Sequence, residues 1–78
     1  MKSIEKRVSQ LRNYEIYCYR ICYYVLDAEQ LAIEATKQTL HHLFHDGDFF
    51  LADNLQQKKY VKQISMKYAL HVFAESQA

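Results

Sequence analysis

Only one glycine, Gly47, and no proline interrupt this chain of 78 residues. That scarcity of backbone breakers narrows what it can fold into more than any other feature. Tight hairpin turns need glycine or a turn-forming equivalent, whereas helices run on undisturbed without breakers. Half the residues are hydrophobic, which is enough to line a core. A chain this short nevertheless sits near the lower limit at which a core alone sustains folding. The expectation is a single all-α domain spanning 1–78, a bundle of three helices with four as the alternative, that packs efficiently or leans on a partner.

Apolar residues Ile4, Val8, Leu11, Cys18, Cys22 and Val25 recur at spacings of three and four or their sums, and Tyr14, Ile21 and Leu26 widen the stripe. This is an amphipathic helix burying a broad face, predicted over about Ile4 to Leu26. Cys18 and Cys22 lie four apart within that stripe, so they read as reduced core residues rather than a disulfide framework or a redox or metal pair. Five of the seven tyrosines fall between Tyr14 and Tyr24. They supply apolar area with a hydroxyl that stays wet, and packing at the core and its edge is favoured over base stacking.

The segment Asp27-Ala28-Glu29-Gln30 has capping-box spacing, with Asp27 placed to accept from the third helical N–H. A second helix is expected from there to about Asp46, closed by Gly47 in the left-handed conformation, with His41, His42 and His45 at the negative end of its dipole. At 100° per residue, Leu31, Ala32, Ala35, Thr39 and Leu43 share one arc, widened by Ile33, Leu40 and Phe44. Gln30, Glu34, Lys37, Gln38, His41 and His45 occupy the opposite arc. Asp48 to Asp53 is expected to be a loop whose Phe49, Phe50 and Leu51 plug the open end of the bundle.

Asn54 with Gln57 offers a second box, opening a last helix over Leu55 to about Glu75. Tyr60, Val61, Ile64, Tyr68 and Val72 form its apolar face. Leu55, Met66, Leu70 and Phe73 line up on the far side, between Lys59 and Lys62. A helix apolar on two sides is either sandwiched or presents a stripe to a partner, and three helices make sandwiching hard to arrange.

The formal net charge is +1 with histidines neutral, which neither demands nor excludes nucleic acid. Charge is unevenly placed, however. Lys58, Lys59, Lys62 and Lys67 fall between Leu55 and Ala74 without an acid, just after Asp46, Asp48 and Asp53. No apolar run is long enough to span a bilayer, and the start lacks a secretory core, so a cytoplasmic location is expected. No nucleophile-base-acid set or phosphate loop appears, and an enzyme is not expected. His41 and His45 have the spacing that sets two imidazoles on one face beside Asp46 and Asp48, but the helix dipole explains histidines there more simply, so neither metal nor cofactor is expected.

The stretch Ala32-Ile33-Glu34-Ala35-Thr36-Lys37-Gln38-Thr39-Leu40 resembles the Ala-acid-acid-x-x-Gln-x-x-Phe core of region 2 in the bacterial sigma-70 family. In that family this core lies on a helix gripping the clamp coiled coil of RNA polymerase. The alanine, one acid and the apolar position are kept at Ala32, Glu34 and Leu40. Lys37 stands where the glutamine belongs, with Gln38 beside it. Further on, Tyr60 to Ala74 resembles the family's promoter-facing Trp-Leu-x-x-Ile-Ala-Arg-Asn-x-Ala-x-Asp-x-x-Arg helix at the packing positions Tyr60, Val61, Ile64 and Ala69. It departs from that helix at Met66, Lys67, His71 and Ala74. The likeness covers roughly Tyr14 to Ala74.

The resemblance implies polymerase docking through Glu34, Lys37, Gln38 and His41, and offers base capture as a second role for the 48–53 loop. Any DNA contact would fall to Lys59, Lys62 and Lys67, and only within a larger complex. Because 78 residues leave no room for the family's region 4, a second sigma-like protein is expected to supply it, with Met66, Leu70 and Phe73 binding that partner. The alternative is a small helical adaptor or homodimer with no role in transcription.

Overall fold

The computed structural model describes residues 2–77, with side chains from Ile4 onward. Four helices follow one another: α1 (Lys2–Leu26), α2 (Glu29–Phe44), α3 (Gly47–Leu51) and α4 (Asn54–Gln77). There is no strand among the described residues. The three long helices pack against one another, and α3 closes one end against α4. The bundle measures 40 × 24 × 18 Å, its long dimension close to the ~37 Å that 25 helical residues span at 1.5 Å each.

Small side chains occupy the centre. Cys18 and Cys22 from α1, Ala32, Ala35 and Thr39 from α2, and Ser65 and Ala69 from α4 are all fully buried. Short side chains let the three helices approach closely, and the polar ones among them are satisfied locally. Thr36 and Thr39 donate to the carbonyls of Ala32 and Ala35, one turn back, at 2.7 and 2.8 Å. Ser65 Oγ donates to Cys18 Sγ at 3.1 Å. Both cysteines are free thiols, as their place in the stripe suggested. Larger residues complete the core, including Leu11, Leu26, Leu43, Phe49 and Val61.

Three predicted helix ends fall elsewhere. Asp27 does not cap α2: it adopts φ 49°, donates its N–H to the Tyr23 carbonyl at 2.7 Å and thereby closes α1. A short polar side chain tolerates this left-handed conformation better than most. Ala28 is the residue that opens α2, with no side-chain cap. Gly47 is not left-handed either; α2 stops at Phe44 as His45 and Asp46 donate back to His42 and Leu43. Nor does Asn54 cap the last helix. Asp53 does, accepting from the Gln56 N–H at 2.8 Å.

The segment expected to be a loop is the short helix α3, nucleated by Asp46, whose Oδ1 accepts from the N–H groups of Asp48 and Phe49. Of its three apolar residues, Phe49 alone plugs the bundle fully, Phe50 is half-buried and Leu51 is exposed. Gln57 ties this corner together. Its amide donates to the Phe49 carbonyl at 3.0 Å and its oxygen accepts from the Tyr14 hydroxyl at 2.9 Å, joining α1, α3 and α4 at a buried position.

Candidate docking faces on α2 and α4

Helix α2 turns its small residues inward and leaves its polar arc in solvent. Glu34, Lys37 and His41 are exposed and Gln38 is half-buried. Gln38 donates its amide to the Glu34 carboxylate at 3.0 Å, one turn apart, which fixes both side chains on the same patch. The His41 ring lies edge-on to that of His45 at 4.7 Å between centroids, extending the patch toward the end of the helix. All four expected docking residues are thus gathered on one face. Ala32, the motif's alanine, is fully buried beneath them, and Leu40 is half-buried.

Beside this patch runs a groove between α1 and α2 of about 320 Å³, lined by residues that include Ile16, Tyr19, Ile33, Lys37 and Leu40. Ile16 is 65% exposed and belongs to no part of α1's inward stripe. Sequence periodicity missed it as a site residue, and a lone exposed isoleucine is too common on protein surfaces to have marked it.

The histidine-aspartate cluster does not converge on one point. His42 turns inward, its Nδ1 3.0 Å from the Tyr68 hydroxyl, while His41 and His45 stay on the surface. Asp46 is committed to capping α3 and accepts from the Tyr60 hydroxyl at 2.7 Å. That hydrogen bond, with those from the Phe49 and Asp48 N–H groups, holds the Asp46 carboxyl below its ordinary range, and the same bond raises Tyr60. Among the described residues no group of three or more His, Cys, Asp or Glu side chains is placed to hold a metal ion.

On α4 the predicted inward face is realised by Val61, Ile64 and Val72, buried, with Tyr60 and Tyr68 half-buried. The far side is not sandwiched. Leu55, Met66, Leu70 and Phe73 remain 65, 37, 55 and 45% exposed. The three lysines singled out for DNA do not form one patch. Lys59 and Lys62 sit within the outward stripe, whereas Lys67 lies about 140° around the helix from Lys62 and rests its ammonium over the Tyr68 ring at 5.5 Å.

Comparison with protein-family models, with curated proteins and with solved structures returned no match. No helix among the described residues is long and apolar enough to cross a membrane.

Proposed function

We propose that this chain is a sigma region 2-like domain that docks on the clamp coiled coil of core RNA polymerase through α2 and assists promoter-specific initiation together with a second chain supplying region 4. The observation that carries the reading is the way the motif divides between inside and outside. Its alanine packs in the core, while Glu34, Lys37 and His41 stand in solvent with the half-buried Gln38 beside them on the same face. A short α3 leading into a long α4 supports the same reading, because it places a lysine-bearing helix one connection away from the docking helix. No chemistry beyond binding is invoked, and no cofactor.

Direct promoter recognition by this chain alone is not part of the proposal. Met66, His71 and Ala74 replace the polar groups that family members present to DNA, and Lys59, Lys62 and Lys67 offer only salt-sensitive phosphate contacts. The second chain is assigned to the outward stripe of α4, through Met66, Leu70 and Phe73. The test is reconstituted transcription with core polymerase, each component omitted in turn. Initiation that requires both chains supports the proposal, and initiation by this chain alone overturns the split arrangement.

The exposed α4 stripe favours one second reading, a helical adaptor or homodimer without a transcription role. It would be supported by stripe-dependent self-association in a chain that leaves the polymerase clamp unbound.

A further inference from the structure

The outward side of α4 is a single line of residues. Leu55, Lys59, Lys62, Met66, Leu70 and Phe73 follow one another at spacings of four, three, four, four and three, which keeps them on one face of a helix over about 27 Å. All six are exposed. The line is divided by chemistry: three apolar side chains occupy its C-terminal half and two lysines its N-terminal half, with Leu55 at the start. No acidic residue occurs between Leu55 and Ala74 to neutralise those lysines from within the helix.

A second copy of the chain is a poor occupant for this line. Paired in parallel, it would bring Lys59 and Lys62 against their own equivalents, and like charges held together are destabilising. Paired antiparallel about Met66, it would set Lys62 against Leu70 and Lys59 against Phe73. In no register do the lysines meet a carboxylate, because the line carries none. Duplex DNA satisfies only the lysines, since Met66, Leu70 and Phe73 have nothing to donate to a phosphate or a base edge.

We propose that the stripe receives an amphipathic acidic helix of the partner chain. Apolar side chains at i, i+4 and i+7 of that helix pack on Met66, Leu70 and Phe73, and carboxylates one and two turns away face Lys62 and Lys59. The inference rests on the assignment of α4 as the partner face and is independent of what α2 binds. The apolar half supplies burial, and the lysines reject basic or misregistered helices.

The test uses the full chain and synthetic amphipathic peptides of about six turns, ~21 residues. One peptide carries leucines at i, i+4 and i+7 with glutamates in the two preceding turns, a second replaces those glutamates by lysine, and a third is scrambled. Anisotropy titrations should show the acidic peptide binding at least about tenfold tighter than the basic one, because two attractive contacts become two repulsive ones. The gap should narrow as salt rises. Leu70→Asp should abolish binding, and Lys59→Glu with Lys62→Glu should reverse the preference, with helicity of each variant checked by circular dichroism.

Equal binding of acidic and basic peptides, or no binding of either, overturns the inference. So does a dimer in sedimentation that Leu70→Asp disperses, which makes a second copy the occupant, or duplex DNA that binds through Lys59 and Lys62 and displaces the acidic peptide. Polymerase is absent throughout. A chain that binds the clamp fragment but none of the peptides therefore fails here alone, and one that binds the acidic peptide but not the clamp fails only the docking proposal.

Discussion

Replacing Gln57 by alanine should cost this domain about 2–3 kcal/mol. Two hydrogen bonds are lost, a buried one to the Phe49 carbonyl and a partly buried one from the Tyr14 hydroxyl, each with a net contribution of about 1 kcal/mol. Truncating the buried side chain adds up to about 1 kcal/mol of lost packing. The penalty stops there because the Phe49 carbonyl retains a longer bond from the Ala52 N–H, at 3.3 Å. A domain of this size is stable by roughly 4–12 kcal/mol, so the variant should fold with a midpoint lowered by about 10–20 °C. Tyr14→Phe removes one of the same bonds and should cost about 1 kcal/mol. The double variant should fall short of the sum by about 1 kcal/mol, since both changes delete the shared bond. Urea titrations followed at 222 nm measure all three. If Gln57→Ala cost less than about 0.5 kcal/mol, in the range of an ordinary surface change, or if the two effects simply added, the view of Gln57 as the tie between α1, α3 and α4 would be refuted.

Other expected outcomes concern helix ends, thiols and acid. Asp27→Gly should leave stability unchanged or raise it by up to about 1 kcal/mol, since glycine fits φ 49° better; a loss on the scale of a missing N-cap would instead support a capping role. Both cysteines are fully buried and held against Ser65, which donates its hydroxyl to Cys18 Sγ and accepts at its carbonyl from Cys22 Sγ, so alkylation should proceed only as fast as the fold opens. Labelling at the rate of a free thiol in folded protein would contradict that packing. Asp46 has a depressed pKa, so its contribution is present above the ordinary carboxylate pKa near 4 and is lost as pH falls through its lower folded value. Asp46→Asn should flatten that acid limb of the stability curve, and an unchanged limb would show that Asp46 is not responsible.

The long helices were legible in the sequence because their periodicity is regular and breakers are few. The exposed arc of α2 and the second apolar side of α4 both follow from a 100° wheel, and both stand in the structure save that Gln38 is half-buried. Helix ends were less legible. Asp27, Asp46 and Asp53 are all residues that can cap, and which element each serves depends on backbone conformation rather than on spacing. Helix α3 has five residues, too few for a periodicity to register. The pairing of Asp46 with Tyr60 and the threefold role of Gln57 join residues far apart in the chain, so no local pattern marks them. Of the expected site residues, the α2 set is contiguous on one turn-to-turn face, whereas the lysines of α4 separate because Lys67 falls on another side of the helix.

The most direct measurement is the affinity of the full chain for an isolated clamp coiled-coil fragment of RNA polymerase, compared with a variant in which Glu34, Lys37, Gln38 and His41 are all alanine. Single exposed contacts contribute only about 1 kcal/mol, so Glu34→Lys alone should weaken binding about fivefold, and the quadruple variant by well over tenfold, at ~1.4 kcal/mol per factor of ten. Helicity and thermal midpoint should be unchanged, because these side chains lie outside the core. A quadruple variant that captures the fragment as strongly as the native chain, or a native chain that does not bind it at all, would contradict the docking proposal.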